Sequence, residues 1–282
     1  MALIDALGCE PIAPSIPHPA PAAIHLKPMP GPELMENESP AASPAPSSDS
    51  VTPHLLDNPI WNSLLTEHSS LAVSNGLARQ FPPAIGPLSG FSHQSDENYE
   101  ALGELAGPGG VVVLFNPEAP APPPGWTLMV GGVLTQMVCD EPASEAPMNL
   151  TRGEEFRPLF AADVPEMVAL ADLTKPGPFR DRTIELGAFF GIFDRGRLLA
   201  MAGERLHLPD HVEVSAVCTH PDARGRGYAR MLIAKVMEEI RQRGKIPFLH
   251  SFAHNESAIR VYRGLGFRER RTFELAVVKN RE

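Results

Sequence analysis

From Val212 to Thr219 the chain alternates, with Val212, Val214, Ala216 and Cys218 on one face and Glu213, Ser215, Val217 and Thr219 on the other. This period of two predicts a strand. His220-Pro221-Asp222 ends it, because proline removes a ladder donor. Past Arg224-Gly225-Arg226-Gly227 the period lengthens to that of a helix, with Ala229, Leu232, Ile233, Val236, Met237 and Ile240 on one face and Gly244 as its stop. The same reading places a hairpin at Phe189–Phe193 and Leu198–Leu206 around Asp194-Arg195-Gly196. It places further strands at Pro247–Ala253 and Arg271–Val278, with a helix between them from Glu256 to Arg263. Asp163-x-x-Glu166 predicts a capping box for a helix to about Leu173, which Lys175-Pro176-Gly177-Pro178 ends.

Earlier in the chain the pattern is weaker. His54–His68 predicts a helix entered through Asp57, Asn58 and Pro59, and a short helix is expected from Glu97 to Leu105. Val111–Phe115 and Trp126–Cys139 read as strands either side of a proline loop. The stretch from Asn75 to Phe91 is too broken by Gly and Pro for long elements. Residues 1–50 are rich in Pro, Ser and Ala, and predict a disordered extension that cannot bury enough apolar surface to fold. The expected division is therefore an extension (1–50), an N-terminal α/β half (51–150) and a C-terminal half (151–282).

The strand–turn–helix at 211–244 carries the candidate chemistry. The first N–H groups of a helix have no partner within it, the helix dipole adds positive charge there, and glycine permits close approach of a ligand. A phosphate suits such a turn. A plain surface turn containing Arg-Gly-Arg-Gly fits the turn alone equally well.

Arg224-x-x-Gly227-x-Ala229 resembles motif A of the GNAT superfamily of N-acetyltransferases, and Asn255, Ala258, Tyr262 and Gly266-Phe267 resemble that family's next signature. The resemblance covers about residues 156–280. It implies the GNAT fold of α/β (α+β) class, a mixed, mostly antiparallel sheet flanked by helices, with the first half as a degenerate α/β addition. It implies that acetyl-CoA is the acyl donor and a primary amine the acceptor, in a small molecule or a peptide. By the same resemblance the backbone of Val217, Cys218 and Thr219 pairs with pantetheine, and the turn Arg224, Gly225, Arg226, Gly227, Tyr228 and Ala229 holds pyrophosphate. Asn255 bonds pantetheine, Tyr262 protonates the leaving thiolate and Glu213 deprotonates the amine. From the residues alone, Asn255 reads as a helix N-cap, Tyr262 as half-buried core and Glu213 as an ion-paired carboxylate. Cys218 reads as core and not as a nucleophile.

Composition narrows the alternatives. Residues 1–150 hold two basic residues, Lys27 and Arg79, against sixteen acidic ones, whereas residues 151–282 are mildly basic, within a net charge of -10. A basic second half suits an anionic donor. Nucleic-acid binding would want a basic stripe interleaved with aromatics, and none is present. Cys9, Cys139 and Cys218 are too few and scattered for a disulfide framework, so a cytoplasmic protein is expected. Residues 1–10 carry no signal-peptide pattern, no apolar run predicts a membrane span, and the histidine pairs do not predict a metal site. Two other function classes compete: a non-catalytic acyl-CoA-binding module of the same fold, and a nucleotide-binding enzyme. The second lacks both G-x-x-x-x-G-K-[ST] and G-x-G-x-x-G.

Overall fold

The computed structural model describes residues 54–141, 147 and 149–281, so the extension 1–50 lies outside the described residues. Eight strands form one mixed sheet. In chain order they are β4 (Val111–Asn116), β5 (Trp126–Val138), β6 (Glu154–Pro158), β7 (Phe189–Asp194), β8 (Arg197–His207), β9 (His211–Thr219), β10 (Ile246–Phe252) and β11 (Arg268–Asn280), and in space they run β4-β11-β5-β10-β9-β8-β7-β6. Only β9 and β10 pair in parallel. A small antiparallel sheet, β1 (Val73–Ser74), β2 (Ala78–Gln80) and β3 (Ser89–Phe91), starts just before the stretch broken by Gly and Pro and ends with it, in strands of two or three residues. The helices are α1 (Pro59–Leu65), α2 (Asp96–Ala106), α3 (Val164–Thr174), α4 (Tyr228–Gln242) and α5 (Glu256–Gly264).

The unbroken apolar run of β4 is explained by burial on both faces. Val113 and Phe115 pack with Leu56, Ile60 and Leu64 on the α1 side, while Val112 and Leu114 pack with Tyr99 and Leu102 of α2. β11 does the same, sending Phe273, Leu275 and Val277 one way and Ala276 and Val278 the other. Near the other edge, α4 sends Leu232, Ile233, Val236, Met237 and Ile240 into a core with Val212 and Val214, and α3 covers the opposite face through Met167, Leu170 and Ala171.

The expected division near residue 150 does not coincide with a break in this sheet. β5 lies between β10 and β11, with antiparallel ladders on both sides (Phe248↔Val138 to Phe252↔Leu134, and Arg268↔Val138 to Asn280↔Trp126). His54–Glu282 accordingly falls within one compact unit. The expected capping box does not form either. Asp163 closes a 3-10 turn at Ala161–Asp163 and pairs with Arg157 at 2.7 Å, and Glu166 instead accepts from the Leu198 N–H. β6 has no counterpart in the sequence reading, because its pattern of charges and partly buried residues lacks alternation.

Candidate active site

The site starts where two strands part. The parallel ladder of β9 and β10 runs through Ile246↔His211, Pro247↔Val212 and Phe248↔Glu213 and stops there, while β10 continues along β5 to Phe252. From Val214 to Thr219 the β10-facing edge of β9 is left open. On its other side β9 bulges against β8, between the pairs Met201↔Cys218 and Gly203↔Ser215, with Ala216 at φ 51°. An extra residue in one strand reverses the alternation beyond it. Val212 and Val214 face the α4 core, but after the bulge it is Val217 that faces it, and Cys218 lies in the α3 core. This corrects the two-faced assignment of the sequence: Val217 shares a face with Val212, not with Glu213. Burial pushes the Cys218 thiol up to about 12, which suits core and not chemistry.

Beyond the open edge a cleft of about 590 Å³ is lined by Val217, Cys218 and Thr219, by the turn at Arg224, Gly225 and Gly227, and by Tyr228, Ala229, Asn255 and Tyr262. Gly225 and Gly227 take φ of 78° and 81°, and a Cβ on either would meet nothing within 4 Å. The turn needs glycine for its left-handed backbone alone. Gly227 is the N-cap of α4, so the N–H groups of Tyr228, Ala229 and Arg230 open that helix without an intrahelical partner. Arg224 is exposed on the cleft with no ion pair among the described residues, and Arg230, which the motif did not mark, joins it there through its place in the first turn. Arg226 behaves differently. Its guanidinium turns to Glu154 of β6 at 3.4 Å and to the Asp222 carbonyl, so only its backbone belongs to the turn. Glu154 also accepts from the Tyr228 hydroxyl, and that hydrogen bond leads the causes holding its carboxyl below the usual range. β6 thus braces the turn.

Asn255 serves as N-cap of α5, its Oδ1 accepting from the Ala258 N–H at 3.2 Å and the Ser257 hydroxyl at 3.0 Å. Its Nδ2 has no partner among the described residues, so the capping and ligand roles are compatible. Tyr262 sits one turn beyond Ala258 on α5 with its ring edge-on to Phe267 at 6.1 Å. Burial pushes its phenol up to about 12, and its hydroxyl has no hydrogen-bond partner among the described residues. The proton therefore stays on oxygen at neutral pH.

A smaller cavity of about 170 Å³ meets the cleft at Val217, Asn255 and Tyr262. Leu88, Val113, Phe115 and Leu134, all from before residue 150, form much of its wall together with Arg205, His250 and the Lys175–Pro178 loop. Glu213 is not among the lining residues. It is 0 % exposed, held by Arg205 at 2.6 Å and His250 Nδ1 at 2.7 Å. Burial alone would raise its pKa, but the charge and hydrogen bonds of Arg205, joined by His250, bring it down to about 2. The expected base role for Glu213 does not fit these surroundings: a sealed, doubly paired carboxylate has little affinity for a proton at neutral pH.

Behind His250 stands a residue the sequence did not single out. Gln136 is fully buried; its Oε1 accepts from Arg270 at 2.9 Å and its Nε2 donates to the Leu56 carbonyl at 3.0 Å. These two contacts fix which end of the amide is nitrogen. The remaining amide hydrogen meets His250 Nε2 at 3.1 Å, which must therefore accept, leaving Nδ1–H to donate to Glu213. His250 is neutral in this arrangement, and its pKa is lowered chiefly by burial. Asp57 completes the chain by pairing with Arg270 and Arg271. No group of three or more His, Cys, Asp or Glu among the described residues is placed to hold a metal.

A family model described as FR47-like protein matches residues 189–276. No curated protein matches the chain. Among solved structures, a GNAT-family protein from Novosphingobium aromaticivorans DSM 12444 is 41% identical over 81% of this chain and 99% of its own, with a TM-score of 0.72. A GCN5-related N-acetyltransferase from Kribbella flavida, at 13% identity over 79% and 94% of the two chains, has a TM-score of 0.53 and shares the fold. With that identity over almost the whole of a relative, and with the turn, open strand edge and tyrosine helix arranged around one cleft, the chain belongs to the GNAT family of acetyltransferases.

Proposed function

We propose that the protein transfers an acetyl group from acetyl-CoA to a primary amine in one direct step, within a complex of all three. The observation that carries this reading is the continuity of the two cavities: one runs from the glycine turn to Tyr262, and the other opens from Tyr262 towards the N-terminal strands. The amides of Gly225 to Ala229 and the Arg224 side chain would bind pyrophosphate. The open edge of β9 at Val217, Cys218 and Thr219 would pair with pantetheine amides as an added strand does, and the Asn255 amide would bond the same arm. As the amine nitrogen bonds to the acyl carbon, the carbon–sulfur bond breaks with its electrons on sulfur. Tyr262 would supply the thiolate's proton, and the proton shed by the attacking nitrogen restores the balance through solvent. No carboxylate among the described residues lines either cavity to take that proton, so the acceptor would react as the free amine. A cytoplasmic setting fits the buried free thiols of Cys139 and Cys218.

The test is thiol release from acetyl-CoA in the presence of an amine panel, with donor binding read by calorimetry. The reading expects Tyr262→Phe to lower kcat by about 100-fold or more while donor affinity barely changes. Binding of acetyl-CoA without transfer to any amine would instead assign the chain to the acyl-CoA-binding class.

A further inference from the structure

The smaller cavity says something about which amine enters. It measures about 170 Å³, well under the roughly 300–1,000 Å³ of pockets for drug-sized ligands. Neither it nor the donor cleft is lined by a single Asp or Glu among the described residues, although the chain carries 34 acidic residues. A site for a polycation needs carboxylates to replace lost hydration, and these walls offer none. The charges that do line the small cavity are Arg205 and Lys175. Arg205 is neutralised by the Glu213 carboxylate behind it, and the imidazole of His250 is uncharged. Lys175 has no ion pair among the described residues, so the balance they give the acceptor end is one uncompensated positive charge.

Lys175 is also held in place. It ends α3 in the left-handed region at φ 54°, its N–H donates to the Ala171 carbonyl at 2.8 Å, and Pro176-Gly177-Pro178 follow it along the cavity. Across from these polar groups stand the apolar side chains of Leu88, Phe115 and Leu134. One cation on a held backbone, an apolar wall and a small volume define the shape and charge of the ligand.

We infer that the acceptor is a small zwitterionic amine of the α-amino-acid type, bearing one amine and one carboxylate. Lys175 receives the carboxylate, the apolar wall takes the side chain and the amine points to the junction at Tyr262. The inference rests on the acetyltransferase reading above, and makes Lys175 a specificity-determining residue. The bond changes are those already given: the α-nitrogen gains the acetyl carbon and loses one proton, and sulfur gains one.

Matched acceptors test it. Thiol release is measured at saturating acetyl-CoA with leucine, with 3-methylbutylamine (the same skeleton without its carboxylate), with spermidine and with a lysine-containing peptide. Leucine is expected to exceed 3-methylbutylamine in kcat/KM by about two- to fivefold, the scale of one exposed charge pair. Lys175→Glu is expected to collapse that ratio to unity or invert it, and Lys175→Arg to keep it. Lys175 is exposed, so neither change threatens the core. Equal or better use of 3-methylbutylamine, spermidine or the peptide overturns the inference while leaving acetyl transfer standing, as does a ratio unmoved by Lys175→Glu. Absence of release with every amine overturns both readings.

Discussion

Glu213 and Arg205 form a buried ion pair beside the reaction site, and the cost of breaking it separates a strut from a base. Removing one partner strands the other charge in a dry interior, a loss of about 3–5 kcal/mol. Glu213→Gln is therefore expected to lower the unfolding midpoint strongly and to leave the pH dependence of kcat/KM governed by the acceptor's own amine. A variant of normal stability whose activity is restored only at high pH would return Glu213 to the role of base. The sequence carried the family resemblance at Glu213 but not its surroundings. Arg205 and His250 lie 8 and 37 residues away, and Gln136 lies 114 residues from His250, distances that no local pattern registers. Asn255 and Gly227 were legible because a cap and a left-handed turn are local events.

At the scale of elements, periodicity found most strands and helices and lost its way where the backbone departs from regularity. The bulge at Ala216 is such a place: alternation continues in the sequence while the strand reverses its faces. β1 to β3 were hidden for another reason, being two or three residues long, below the length at which a period can be counted. The sheet also bears on how the chain divides. Among the described residues β11 has strand partners only in β4 and β5, and β10 relies on β5 for its far edge. A fragment of residues 151–282 would thus hold β11 with no neighbour. It is expected to be insoluble or unfolded by circular dichroism, and to regain helical signal and activity only when residues 54–150 are supplied with it. A folded, monomeric fragment would show that the first half is dispensable.

The whole molecule carries a pH sensitivity of its own, at a histidine that lines neither cavity of the site. His68, 5% exposed, joins α1 to the large sheet, with Nδ1 3.1 Å from the Ser63 hydroxyl, Nε2 3.2 Å from the Leu186 carbonyl and its ring 4.8 Å from His207. Burial, with the neighbouring His207, lowers its pKa to about 4. An unfolded histidine takes up its proton near pH 6.5, so between about 6.5 and 4 the unfolded chain binds a proton that the native protein refuses. Stability is full above 6.5 and falls as the solution is acidified, by at most about 3 kcal/mol from this residue. His250 acts in the same direction. Urea midpoints at pH 7.5 and 4.5 should show the loss, and His68→Asn should shrink the difference between them; an unchanged difference would assign the acid sensitivity elsewhere.

The place of β5 has a further consequence, in the order of synthesis. Residues 126–138 leave the ribosome more than a hundred residues before either strand that will flank them, since β10 begins at Ile246 and β11 ends at Asn280. Until translation is nearly complete, this apolar strand has two bare edges, the condition under which nascent chains associate wrongly. A chain stopped just before residue 246 would therefore hold β6 to β9 complete beside a β5 that has neither of its neighbours.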